Sequence, residues 1–348
     1  MEVRTNTLNK KGWKQFTLVN NNGISIKLLN YGGIITGIYT PDKHGNIENI
    51  VLGYHDYEEY SDNPNYFGAI IGRVAGRIQN SSFALGENKF TLDSNEGKHH
   101  LHGGKNGFHH VIWDDEVFET DSSIGVKLKH KSLKSANSYP GNLTINVTYT
   151  LDNDNEFTID YNAITDEKTA ITLTNHTYFN LNGDLKDTIH NHNVMMDSSR
   201  FIELDNELIP TGECLNVKNS SFDFRNGKFL ASGINNPEIQ NKFAKNGYDH
   251  FFILDKRKKN DAIIKEYTSG RILSIQTNQP GIVLYTGNNI EDNINLHEGN
   301  SKKYLGVTFE AQSSPASLHH KGFPSIILNP DETYKQQTKF KFELETST

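Results

Sequence analysis

The sequence predicts an all-β fold: a large antiparallel β-sandwich with few short helices. Three observations predict it. Apolar residues recur at every second position in the clearest segments, the period of a strand with one buried face. The segments between them are rich in Gly, Asn, Asp and Ser, the residues of turns. Amphipathic helical patterns are almost absent, and many strands with few helices pack as a sandwich rather than as an α/β fold.

The strongest element is a hairpin. Leu143, Ile145, Val147, Tyr149 and Leu151 alternate with Thr and Asn, and after the polar stretch 152–156 the alternation resumes in Phe157, Ile159, Tyr161 and Ala163. Phe340, Phe342 and Leu344 repeat the pattern near the C-terminus with Lys and Glu between them. Shorter strands are expected, in order, at 16–19, 24–29, 34–39, 111–118, 126–130, 171–174, 201–204, 251–254, 263–267, 272–277, 282–286, 304–310 and 326–328. Residues 56–61 suit a single helical turn. No Pro- or Gly-rich linker, repeat or low-complexity tract divides the chain, so 1–348 reads as a single domain.

Bulk properties narrow the function. A chain of 348 residues is long enough for one large β domain. Its net charge of −7, with no basic block, disfavours nucleic acid and anionic membranes as partners. A lone cysteine, Cys214, cannot form an internal disulfide. The polar start, Met1 to Trp13, lacks the apolar stretch of a signal peptide, and no run approaches the roughly 18 apolar residues of a membrane span. A cytoplasmic protein is expected.

Five segments hold side chains suited to chemistry. In 304–312, strand phase sets Leu305, Val307 and Phe309 on a core face and Tyr304, Gly306, Thr308 and Glu310 on the other. Glu310 is then either a solvent-facing strand-end residue or a carboxylate with room beside it. In 171–181, Ile171 and Leu173 face the core while Thr172, Thr174 and His176 share a polar face. His176 is either bonded to backbone or a proton carrier near neutral pH. Around His102, the run Leu101-His102-Gly103-Gly104-Lys105 lacks the spacing of a phosphate loop. Its glycines allow a tight turn or a close backbone approach. His100 and His102, like His190 and His192, are two apart as metal ligands on a strand would be, but the three or four ligands of a usual site are not at matching spacings. No metal is expected. In 66–78, Arg73 and Arg77 either pair with acidic groups in a packed loop or donate planar hydrogen bonds to a ligand. Asp249 is either a turn residue or a carboxylate for a polyol.

These segments carry a resemblance. Gly-Arg-Val-Ala-Gly-Arg-Ile at 72–78, Leu-His-Gly-Gly at 101–104, Asn-His-Thr-Tyr-Phe-Asn-Leu at 175–181, Tyr-Asp-His at 248–250, Gln-Pro-Gly followed by Tyr-Thr-Gly-Asn within 279–288, and Thr-Phe-Glu-x-Gln at 308–312 occur in one order over nearly the whole chain. Together they resemble the aldose 1-epimerase (galactose mutarotase) family. The resemblance implies the large mutarotase-like supersandwich, with a monosaccharide in an open cleft; a monomer or homodimer is expected. It implies interconversion of the α and β anomers of free aldoses such as galactose and glucose, with no cofactor and no metal. Carried over, Glu310 is the general base at the C1 hydroxyl, His176 the general acid at the ring oxygen and His102 its assistant. Gly76, Arg77, His102, His176, Thr177, Tyr178 and Asp249 bind the sugar. Two positions depart from the common pattern: Gly76 stands where many members have Asn, and Val283 where many have Gln.

The same residues also suit three rival readings. Asp249 and Glu310 suit a glycoside hydrolase as a carboxylate pair. A hexose 6-phosphate epimerase would need a cationic phosphate site, which is not evident. A non-catalytic sugar-binding module would have no need of both Glu310 and His176.

Overall fold

Backbone pairing in a computed structural model, which describes residues 1–8 and 11–345, is dominated by three antiparallel sheets. The largest has nine strands, ordered Asp114–Glu119, Ser123–Ser132, Leu143–Asp152, Glu156–Thr165, Tyr334–Leu344, Arg271–Thr277, Ala262–Glu266, Asn193–Met196 and Lys228–Phe229. The expected hairpin lies at its centre. Leu151 pairs with Phe157 and Leu143 with Thr165, and burial alternates without a break along both strands. The alternation near the C-terminus becomes the long strand Tyr334–Leu344, which joins that hairpin to Arg271–Thr277.

A second sheet has six strands, ordered Tyr178–Phe179, Val307–Gln312, Gly281–Tyr285, Asp249–Leu254, Ser198–Leu204 and Pro210–Asn216. The third has five, Glu2–Thr7, Lys14–Val19, Ser25–Leu29, Ile35–Pro41 and Ile47–Asn49. One buried apolar cluster joins all three. It includes Phe157 and Phe340 from the nine-stranded sheet, Phe309 and Phe252 from the six-stranded one, and Phe16 and Ile26 from the five-stranded one. The Phe179 and Phe340 rings meet with centroids 5.5 Å apart, packing one sheet on another. The expected β-sandwich is thus observed. Helix is confined to short pieces, among them the expected turn Tyr57–Ser61, whose start is capped by the Asp56 side chain. No helix among the described residues is long and apolar enough to cross a membrane.

Two expected strands start three residues late and one is split, each for a local reason. The segment 111–118 becomes strand only at Asp114–Glu119, because its start bonds elsewhere: Gly32 donates to the Val111 carbonyl and Trp113 to that of Asn30. The segment 304–310 starts later, at Val307, and runs on to Gln312, because Tyr304 has a left-handed φ of 60° that turns the chain first. The segment 171–174 is not one strand. Thr169–Ala170 pairs with Ile327–Leu328 and Thr174–Asn175 with Ile70–Ile71, so the chain changes partner in between. His176 therefore follows a short strand and precedes another, Tyr178–Phe179, instead of sharing a strand face with Thr172 and Thr174.

Candidate active site

Strand Val307–Gln312 is buried at every position, which one core face cannot explain. Val307, Phe309 and Ala311 enter the apolar core, while Thr308, Glu310 and Gln312 bury polar side chains on the other face. That second face looks into a cleft of about 580 Å³. Glu310, His176, His102, Arg77, Asp249, Tyr178 and Gly76 all line it. The fold thus brings together all but one of the site residues expected from sequence. The exception is Thr177, which is buried outside the lining with its hydroxyl bonded to the Asn175 side chain at 2.5 Å.

Glu310 and His176 meet deep in the cleft, with His176 Nε2 3.4 Å from Glu310 Oε1. The Thr308 hydroxyl donates to that same Oε1 at 3.1 Å. Glu310 Oε2 and His176 Nδ1 are buried and have no protein partner. Burial raises the Glu310 carboxyl to about 8, with the negative charge of Asp249 adding to the effect. Burial lowers His176 to about 3. Both shifts favour the neutral forms, so below about pH 8 the one titrating proton of the pair rests on the carboxyl. Moving that proton across the contact gives carboxylate and imidazolium without changing the proton count.

His102 is held by Gly76. The Gly76 N–H donates to His102 Nδ1 at 3.2 Å, and the His102 N–H donates to the Gly76 carbonyl at 3.2 Å. An Nδ1 that accepts a hydrogen bond has no proton, so the neutral ring carries it on Nε2. Burial, followed by the neighbouring His176, keeps His102 neutral. Both backbones are left-handed here, with φ of 53° at His102 and 82° at Gly76. Beyond them, Gly103 packs so closely on the chain that a Cβ would lie 1.8 Å from the Gly72 carbonyl oxygen, which is the close approach expected of this glycine pair.

The two arginines have separate fates. Arg73 is fully buried and donates to the carbonyls of Ser132, Pro140 and Gly141, the packed-loop role. Arg77 reaches the cleft and bonds Glu96 at 2.8 Å and Asp249 at 3.4 Å. Burial weakens its hold on its proton, but Asp249 and then Glu96 outweigh this and raise it. Burial also raises the Asp249 carboxyl, with Arg77 opposing.

The histidines spaced two apart do not form metal sites. His100 bonds the Asp93 carbonyl and the Tyr139 hydroxyl, both at 2.8 Å, while His192 accepts from the Leu181 N–H at 2.8 Å. A different trio, His102, His176 and Glu310, has donor atoms within 4.8 Å of one another and is the set that could hold a metal. The Gly76 hydrogen bond argues for another role. It leaves the free nitrogen of His102 as N–H, a hydrogen-bond donor rather than a ligand.

Four of the lining residues to which sequence reasoning assigned no role stand beside these groups. Tyr66 packs against His102, His109 and His176, with ring centroids 4.8, 4.9 and 5.7 Å away. Tyr285 packs on Tyr178 at 6.0 Å. Glu96 is joined to Arg77 only by the fold, and nothing in the sequence announces it. Gln312 was legible: two residues beyond Glu310, it shares the same strand face.

Relatives match over nearly the whole chain. A family model described as aldose 1-epimerase matches residues 14–341. The galactose mutarotase of Bos taurus is 36% identical over 324 residues, covering 92% of each chain. The aldose 1-epimerase of Streptococcus thermophilus is 33% identical, covering 94% of each. Among solved structures, galactose 1-epimerase from Lactobacillus acidophilus superposes with a TM-score of 0.88 at 30% identity, covering 99% of both chains. With a family model spanning most of its length and relatives above 30% identity end to end, the chain belongs to the aldose 1-epimerase family.

Proposed function

We propose that this protein is a mutarotase that interconverts the α and β anomers of free aldoses such as galactose and glucose, with Glu310 as general base and His176 as general acid. The observation that carries this reading is the buried 3.4 Å contact between His176 Nε2 and Glu310 Oε1 in the cleft. Glu310 Oε2, buried without a partner, is the atom that takes the proton of the C1 hydroxyl. As that hydroxyl binds, its hydrogen bond stabilises the carboxylate and sends the shared proton toward His176. His176 gives the proton to the ring oxygen, and the C1–O bond breaks. The open-chain sugar rotates about C1–C2 and recloses by the reverse transfers. His102, with its proton on Nε2, donates a hydrogen bond at the ring oxygen and supports this step. Each well-placed group contributes about 10²–10⁴-fold.

Arg77 and Asp249 orient the sugar hydroxyls, and Tyr178 packs on the apolar face of the pyranose. Gly76 contributes backbone to the sugar site through its hold on His102, and Thr177 supports the floor from behind. The engagement of Asp249 with Arg77 suits a hydroxyl grip better than the free carboxylate pair of a glycoside hydrolase. We read residues 1–348 as one domain, which the shared apolar cluster supports, acting in the cytoplasm as a monomer or homodimer.

Polarimetry of freshly dissolved α-D-galactose and α-D-glucose tests the assignment. The protein should speed the approach to anomeric equilibrium, and Glu310→Gln should abolish that effect while sugar still binds, because base strength acts in the transition state more than in the ground state. An unchanged rate in Glu310→Gln would overturn the mechanism.

A further inference from the structure

The charge of the cleft is lopsided in a way that the anomer exchange of neutral sugars does not require. Besides Glu310, five carboxylates line it: Glu59, Asp62, Glu96, Asp249 and Glu291. Among the described residues the lining holds no lysine and a single arginine, Arg77. Arg77 is already shared between Glu96 and Asp249, and the lining histidines His102 and His176 are kept neutral by burial. Glu59, Asp62 and Glu291 are exposed on the rim and form no ion pair among the described residues.

A second observation points the same way. Two buried oxygens on the strand Val307–Gln312, Glu310 Oε2 and Gln312 Oε1, line the cleft without a partner, and both side chains are at most 3% exposed. An amide oxygen accepts only, so the wall calls for a ligand rich in donors. A protonated amine offers three donors and a charge, where a hydroxyl offers one donor and none. Hydrogen bonds from a cation to a carboxylate such as Asp249 are also roughly twice as strong as neutral ones.

We propose that this cleft takes protonated 2-amino-2-deoxy aldoses as substrates for the same anomer exchange, and turns away aldoses bearing phosphate or carboxylate. The proposal rests on the mutarotase reading above and adds a substrate class to it. The rim carboxylates draw the ammonium in, since a cleft lined by one sign of charge focuses the field and raises the local concentration of opposite charge. Asp249 and Gln312 receive its protons inside.

The test compares kcat/KM for anomer exchange of D-glucosamine, D-glucose and D-glucose 6-phosphate at pH 6, where a sugar amine of ordinary basicity carries its proton. Raising salt from about 0.02 M to about 0.5 M, which screens charges beyond a few ångströms, should lower the glucosamine-to-glucose ratio about threefold or more and raise the phosphate-to-glucose ratio. The rim variant Asp62→Asn/Glu291→Gln should reproduce the fall in the glucosamine ratio at low salt while leaving D-glucose turnover within about twofold, because its changed groups lie at the exposed edge. A glucosamine ratio indifferent to both salt and the rim variant overturns the proposal. If D-glucose itself is not accelerated, the mutarotase reading fails, and this inference with it.

Discussion

The nine-stranded sheet and the strand Val307–Gln312 bury their residues for opposite reasons. In Leu143–Asp152 and Glu156–Thr165, burial alternates, so one face packs in the core and the other meets water or half-buried polar neighbours. In Val307–Gln312 it does not alternate, because the face opposite the core is also buried: Glu310 and Gln312 line a cleft there, and Thr308 lies beside Glu310 with its hydroxyl bonded to the carboxyl. The first region is arranged for stability. The second keeps a carboxyl and an imidazole in an environment that opposes their charged forms, and natural sites hold such groups at a cost in stability. Buried polar residues on a strand whose alternation fails therefore mark the site.

The sharpest way to break this comparison is to exchange the two effects. Phe157→Ala, at a fully buried ring in the regular sheet, should cost about 3–5 kcal/mol of stability while the folded fraction keeps its kcat. Glu310→Gln should do the reverse. It should lose on the order of 10²–10⁴-fold in kcat and gain stability at alkaline pH. The sign follows from linkage: the folded carboxyl, at about 8, lies above its ordinary value of 4.5, so its contribution is full below about 4.5 and is lost as pH rises through about 8. Gln does not titrate, and its melting temperature should overtake that of the parent protein across that window. Calorimetry at pH 5 and pH 9 checks this. A Glu310→Gln protein less stable than its parent at pH 9 would show that the carboxylate holds the cleft together.

Activity against pH gives the next largest effect. The Glu310–His176 pair works with one proton between them, so kcat/KM should fall on the alkaline side as that proton leaves, with an apparent pKa near the carboxyl's value of about 8. The acid side should behave differently. His176, His109 and His250 are lowered by burial to about 3 and His192 to about 4, so their contribution to stability is present above the ordinary histidine value of 6.5 and is lost as pH falls through those values. Acid inactivation should therefore track unfolding, whereas alkaline inactivation should leave the protein folded. Circular dichroism recorded alongside the pH profile separates the two. Loss of fold on the alkaline limb would undo the shared-proton account.

How much of this was legible follows the same division. The hairpin 143–163 and the C-terminal strand could be read because alternation over many residues is a local signal that tertiary packing reinforces. The edge strand Glu2–Thr7 could not, since it is exposed at almost every position and its sequence carries no apolar period. Strands of two residues, such as Thr174–Asn175 and Tyr178–Phe179, are too short to show a period and exist only through their partners. At the site, Glu310, His102, His176, Arg77 and Asp249 were found because family-like motifs surround them. The Gly76–His102 clasp, the tie from Glu96 to Arg77 and the place of Tyr66 among three histidines depend on left-handed loops that meet only in the fold.

The smallest expected effect sharpens the comparison at its edge, where framework and site share a residue. Gly76 has a φ of 82°, and a Cβ there would meet the Pro315 ring at 3.0 Å. Gly76→Ala should therefore cost about 1 kcal/mol of stability or somewhat more, as expected of a side chain forced into left-handed backbone. A change in the regular sheet would stop at that. Here the same N–H that occupies the strained turn donates to His102 Nδ1 and fixes its proton on Nε2. A shift of a few tenths of an ångström should thus also lower kcat a few-fold while KM stays near its starting value, because the lost contact is to a group that acts on the ring oxygen and not to a hydroxyl grip. Initial rates by polarimetry over a range of galactose concentrations, beside a thermal melt, read both quantities. Lost stability with kcat untouched would make Gly76 a residue of the framework alone and leave the orientation of His102 to its packing against Tyr66 and His176.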